Sequence, residues 1–212
     1  MPNARDIEKT ICRVAKEFRQ GTVNFRNEAG FRCLLFNYIR GLDGTRVRST
    51  QGEGEYDVEL VHAEFPTPIR TNQRYDLAIM KEEAANRFDE LYYEDVGQKE
   101  WAKRMLLRAA IEIKFRNRYP EYDDEMKKDI KKLKSLLRKR KERKGDYGYF
   151  VLFIDMDVDW REDWRYKQLL ASFKEASKGV EGLKIYCIPG KSGDALKVQK
   201  GSHKRVKLQP DL

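Results

Sequence analysis

The chain is poor in the residues that staple small secreted proteins or build zinc centres. It has 3 cysteines, and Cys12, Cys33 and Cys187 are scattered and form no Cys-x-x-Cys pair. That pattern gives neither a disulfide framework nor a zinc finger, and it reads as free thiols in a reducing compartment. His62 and His203 are the only 2 histidines and lie far apart, which speaks against HNH-type or zinc chemistry. The longest purely apolar run, residues 150–154, falls far short of the roughly 20 residues that span a bilayer. The opening MPNARDIEKT is charged and lacks the apolar core of a signal peptide. A cytoplasmic protein with no membrane attachment is therefore expected. No internal repeat, low-complexity tract or clear linker divides the chain.

What is present is charge. Lys and Arg number 44 against 35 Asp and Glu, a formal net charge of +9 with a pI near 9.3. Such a surplus points to a polyanionic partner, nucleic acid before anionic membrane. With 212 residues, 40% of them hydrophobic, the chain is long enough to bury a core and is expected to form a single domain over residues 1–212.

Periodicity supplies the elements. Residues 6–19 carry Ile7, Ile11, Val14, Ala15 and Phe18 at helical spacing, and residues 23–42 form a longer helix with Phe31, Leu34, Leu35, Tyr38, Ile39 and Leu42 on one side. Glu28 shares that apolar side. A carboxylate there either pairs with Arg32 at i,i+4 or serves a site. Residues 45–80 read as β structure, with a strand over 58–65 and another, YDLAIM, over 75–80. Residues 81–107 read as a helical insertion. AAIEIKF (109–115) is a strand, 121–144 a helix with acids first and bases last, and YFVLFIDM (149–156) a strand covered on both faces. A helix over 161–178, a strand over 183–188 and a basic tail over 190–212 complete the chain. The sum is an α/β domain with a mixed sheet flanked by helices on both faces.

The stretch AAIEIKF carries the candidate chemistry. Strand periodicity turns Glu112 and Lys114 to one face, about 7 Å apart along the strand, and Ile111, Ile113 and Phe115 to the other. Asp76 lies opposite Leu77 and Ile79 on its own strand. Magnesium takes one or two carboxylates and keeps waters for a substrate phosphate, and a neighbouring lysine stabilises charge building on phosphorus. The tripeptide alone says little, because acid-x-Lys also begins at Glu125, Asp129 and Glu142, all in the basic helix and simplest as a solvated face.

Taken in order, the helix with Glu28, the strand Arg74-Tyr75-Asp76-Leu77 and the strand Glu112-Ile113-Lys114 resemble the PD-(D/E)XK nuclease superfamily, which includes restriction endonucleases and Holliday-junction resolvases. The likeness runs over about residues 23–156. It implies a restriction endonuclease-like core (α-β-β-β-α-β with a further α-β) and phosphodiester hydrolysis of DNA with Mg2+, or with Mn2+. It makes Asp76 and Glu112 metal ligands, Lys114 the partner of attacking water and phosphate, and Glu28 an auxiliary acid. A homodimer would suit cutting both strands of a duplex. The likeness needs residues 81–107 to be a true insertion, and the preceding strands offer Asp57, Glu59 and Glu64 as alternative acids. A binding module of the same fold without catalysis is the other reading.

The basic helix is the expected nucleic-acid surface, with Lys127, Lys128, Lys131, Lys134 and Arg138 placed to neutralise phosphates. The tail around Lys200, His203, Lys204 and Arg205 is either a second contact or disordered. Two motifs drop out. Pro189-Gly190-Lys191-Ser192 has Ile185 where a P-loop needs glycine. Asp155, Asp157 and Asp159 resemble a haloacid-dehalogenase nucleophile motif, but too little chain follows.

Overall fold

A computed structural model describes residues 2–23, 26–49, 56–67, 73–85, 106–117, 121–138, 146–156, 163–190, 195–206 and 208. Two helices come first. Helix α1 (Ala4–Gln20) starts in a capping box, with Asn3 accepting from the Arg5 and Asp6 amides and Asp6 accepting from the Asn3 amide. It ends at Gly21, whose φ of 70° is the left-handed conformation that closes a helix. Helix α2 (Glu28–Arg40) starts at Glu28 and not at residue 23, because the Asn27 side chain accepts from the Gly30 amide and fixes the first turn there.

Strands β1 (Arg46–Ser49) and β2 (Tyr56–Glu59) pair as a separate two-stranded sheet. Among the described residues the main sheet has 7 strands in chain order: β3 (Val61–Pro66), β4 (Arg74–Met80), β5 (Leu107–Arg116), β6 (Tyr147–Ile154), β7 (Leu183–Pro189), β8 (Leu196–Gln199) and β9 (Ser202–Arg205). Its centre, β5–β6–β7, is parallel, and both flanks are antiparallel. Helix α3 (Glu82–Ala85) follows β4, α4 (Asp124–Arg138) connects β5 to β6, and α5 (Trp164–Ser177) connects β6 to β7.

Period-two alternation in the central strands sorts two cores. Leu77, Ile79, Ile111, Ile113, Val151 and Phe153 meet Ile7, Ile11, Val14 and Phe18 of α1 and Phe31, Leu35 and Ile39 of α2. Phe31 stacks on Phe153 with centroids 4.0 Å apart, and Phe18 meets both rings edge-on. On the other face, Ala78, Met80, Ala110, Phe150 and Leu152 meet Met126, Ile130 and Leu133 of α4 and Leu169 and Phe173 of α5. The chain is thus mixed α/β, a large mixed sheet with helices on both faces. Among the described residues no helix is long and apolar enough to cross a membrane.

Three expectations change. The strand over 58–65 divides at Leu60, whose amide donates to Thr45 and whose carbonyl accepts from Met80, so its two halves join different sheets. The basic tail contributes β8 and β9: Leu196 and Val198 are fully buried, and Lys197 is buried through an ion pair with Glu8 on α1. Most of the insertion over 81–107 and residues 139–144 of the basic helix lie outside the described residues.

Candidate active site

Antiparallel pairing of β4 with β5 runs from Ile79 opposite Ala109 to Leu77 opposite Ile111. Asp76 is the next residue, and its Oδ2 accepts the Ile113 amide at 2.7 Å. A side chain therefore takes a donor that a continuing ladder would have used. This sets Asp76 at the end of the β4–β5 ladder, near enough to Lys114, Asp129 and Glu112 for their charges to act on one another. Burial pushes the Asp76 carboxyl above its usual value, against the pull of the Ile113 amide, Lys114 and Arg32.

Glu112 is 2% exposed. Burial, reinforced by the negative charge of Asp129, pushes its carboxyl well above the usual range, although Lys132 Nζ stands 2.8 Å from its Oε1. Lys114 Nζ lies 3.1 Å from Asp129 Oδ2 and 3.5 Å from Glu28 Oε2. Burial lowers that ammonium's pKa, but Asp129 and Glu28 outweigh it and hold the group above its usual value. Lysine 114 is charged.

Glu28 reaches this cluster from the other layer. It does not pair with Arg32. As the first residue of α2 it points past the end of β5, accepting from the Phe115 amide at 3.4 Å and pairing with Arg116 at 3.2 Å. Arg32 instead pairs with Glu64 and lies 3.4 Å from Asp76 Oδ1. Glu64 sits at the β3 position that the register sets opposite Asp76, with a left-handed φ of 53°. Of the alternative acids it belongs here, whereas Glu59 pairs with Arg40 and Arg46 and Asp57 is exposed on β2, opposite Arg48 in the separate sheet.

Asp129 was legible only as a solvated acid, yet it is 8% exposed and joins Lys114 to Lys132. Its spacing held the signal. Asp129 lies three residues after Met126 and four before Leu133, on the buried stripe of α4. An acid on such a stripe needs partners.

Of the five bases expected to contact nucleic acid, Lys128 lies four residues before Lys132 and so on the site's side of α4, and the other four do not. Lys127, Lys131, Lys134 and Arg138 line a groove of about 660 Å³ between α4 and α5, with Tyr122, Ser135 and Ser172. Lys128 is exposed and lies outside that lining. At 3.6 residues per turn, Lys134 is about 200° around the helix from Lys132. The basic groove and the acidic cluster therefore flank opposite sides of one helix. Asp155, set aside above, pairs with Arg26 at 2.6 Å, while Asp157 and Asp159 lie outside the described residues.

The donor set suits a hard cation. Glu112 Oε1 and Asp129 Oδ2 are buried and meet the Lys132 and Lys114 ammonium groups at 2.8 and 3.1 Å. Among the described residues no group of three or more His, Cys, Asp or Glu side chains is placed to hold a metal ion. Magnesium does not need that many, because it binds through one or two carboxylates and keeps several waters. Asp76 and Glu112 supply two carboxylates from neighbouring strands.

No family model, curated protein or solved structure matches this chain.

Proposed function

We propose that this chain is a metal-dependent endonuclease that hydrolyses DNA phosphodiester bonds, built on a restriction endonuclease-like core. The observation that supports it most is the convergence of Asp76, Glu112 and Lys114 where β4 stops pairing with β5. Asp76 and Glu112 are the ligands for Mg2+ or Mn2+. When bound, the ion would polarise a phosphoryl oxygen and make a bound water more acidic. Lys114 holds positive charge beside that position, where negative charge grows on the phosphoryl oxygens. Glu28 and Asp129 hold its ammonium in place, and the Ile113 amide fixes the Asp76 carboxylate. The net charge of +9 favours association with a polyanion.

A second reading is a nucleic-acid-binding module of this fold without catalysis. It is favoured by the ion pairs that already neutralise Lys114, Lys132 and Arg32. The two part in one assay: purified protein incubated with linear duplex, branched and single-stranded DNA, with and without Mg2+ or Mn2+. Products that require the metal support the nuclease. Salt-sensitive binding to all three with no products under any metal supports the module.

A further inference from the structure

Lys132 is the residue this cluster leaves unexplained. Its ammonium lies 2.8 Å from Glu112 Oε1, 2.9 Å from Asp129 Oδ1 and 3.0 Å from the Arg74 carbonyl oxygen. Three oxygens from β5, α4 and β4 thus converge on one positive charge, and the side chain is 14% exposed. A lysine placed only to neutralise Asp129 has no need of Glu112, because Lys114 already pairs with the other Asp129 oxygen. Nor is it a surface contact for nucleic acid, since its ammonium is turned into the sheet. The Glu112 oxygen that it touches is buried, and the cation it meets there is this ammonium, 2.8 Å away. A single cation against a buried carboxylate oxygen is the place a metal would take.

We propose that Lys132 is a tethered cation occupying the metal position at Glu112, and that a divalent ion binds there by displacing its ammonium. This rests on the reading of Asp76 and Glu112 as metal ligands. The ammonium keeps the two buried carboxylates compatible with folding while the metal is away, since leaving them unpaired would be expensive. On displacement its stem has only to swing clear of Glu112, because the helix that carries it is anchored by Met126, Ile130 and Leu133. Lys132 then weakens metal binding in the resting protein, so the site fills only at adequate metal concentration. Competition between the two cations for one carboxylate is reciprocal: whatever Lys132 takes from metal affinity, metal takes from the Lys132 ion pair.

The test is Mn2+ binding followed by the loss of the free-ion electron paramagnetic resonance signal, for the wild type, Lys132→Met and Glu112→Gln. Alongside it, reductive methylation of Lys132 in the unaltered protein is followed by mass spectrometry with and without Mg2+, which does not depend on any variant folding. The proposal expects Lys132→Met to bind Mn2+ more tightly by at least about fivefold, Glu112→Gln to lose that site, and Lys132 to methylate faster with Mg2+. If the wild type binds Mn2+ through Glu112 while Lys132→Met binds no more tightly and methylation is unchanged, Lys132 is a structural ion pair and the proposal fails, with the metal site intact. If neither wild type nor Lys132→Met binds Mn2+, the metal site fails and the proposal with it.

Discussion

Asp129 Oδ2 stands 3.1 Å from Lys114 Nζ, so an acid of the basic helix holds the lysine of the central strand. The same carboxylate reaches Lys132 through its other oxygen. Asp129→Asn keeps the shape but removes the charge that fixes Lys114. Metal-dependent DNA cleavage is expected to fall by about 10–100-fold, the usual range for a residue that orients a site ligand. Rates at saturating DNA, with circular dichroism to check the fold, measure it. Unchanged cleavage would show that Lys114 needs no such support.

The aromatic cluster under α2 sets the position of Glu28. Phe31 is fully buried and stacks on Phe153 at 4.0 Å. Phe31→Ala is expected to lower unfolding stability by about 3–5 kcal/mol, as large-to-small core changes do. Urea denaturation reads this directly. A loss under about 1 kcal/mol would mean that the cavity collapses and the layer is softer than it looks.

These two positions differ in how far the sequence reveals them. The alternation of Ile111, Ile113 and Phe115 and the unbroken YFVLFI stretch announce β5 and β6, and the stripe Met126, Ile130, Leu133 announces α4. Asp76, Glu112 and Lys114 follow from strand parity once those elements are placed. Asp129 was hidden by composition, because acid-x-Lys recurs in so charged a helix and only its place on the apolar stripe sets it apart. The partner of Glu28 was hidden by distance: Arg32 is four residues away, but Lys114 and Arg116 arrive from another strand. Strands β8 and β9 looked like a tail because Lys197 reads as exposed, and its partner Glu8 lies at the other end of the chain.

That pairing predicts a pH dependence. Glu8 holds Lys184, Lys197 and the Tyr186 hydroxyl, tying α1 to β7 and β8. Burial would raise its pKa, but the two ammonium groups and the hydroxyl outweigh that and lower it below the usual 4.5. A depressed folded value means that the contribution is complete above the unfolded pKa and is lost as pH falls through the folded one. Glu8→Gln is expected to destabilise by on the order of 2 kcal/mol at pH 7, a buried-pair figure reduced for partial exposure. The gap to the wild type should narrow below about pH 4.5 and close further down. Chemical denaturation across pH 3–7 would show it, and a constant gap would remove Glu8 as the cause.

Two glycines separate backbone strain from steric contact. Gly179 and Gly182 have φ of 67° and 81°, but a Cβ on Gly182 would meet the Asp146 carbonyl oxygen at 2.5 Å, whereas one on Gly179 meets nothing within 4 Å. Gly179→Ala is expected to cost about 1–2 kcal/mol, the price of a left-handed alanine. Gly182→Ala should cost more, because the clash adds to the strain. Equal melting temperatures for the two variants would contradict the close approach of the β7 entry turn to β6.

Nuclease activity requires Asp76, Glu112 and Lys114 to act together on phosphodiesters. The most direct measurement is single-turnover cleavage of end-labelled DNA in Mg2+ by the wild type, Asp76→Asn and Lys114→Met, each shown to be folded and to bind the same DNA. Metal-dependent products are expected from the wild type, with at least about a 100-fold loss in each variant and binding retained. Equal cleavage by all three, or none by the wild type with any divalent metal, would contradict the proposed nuclease site.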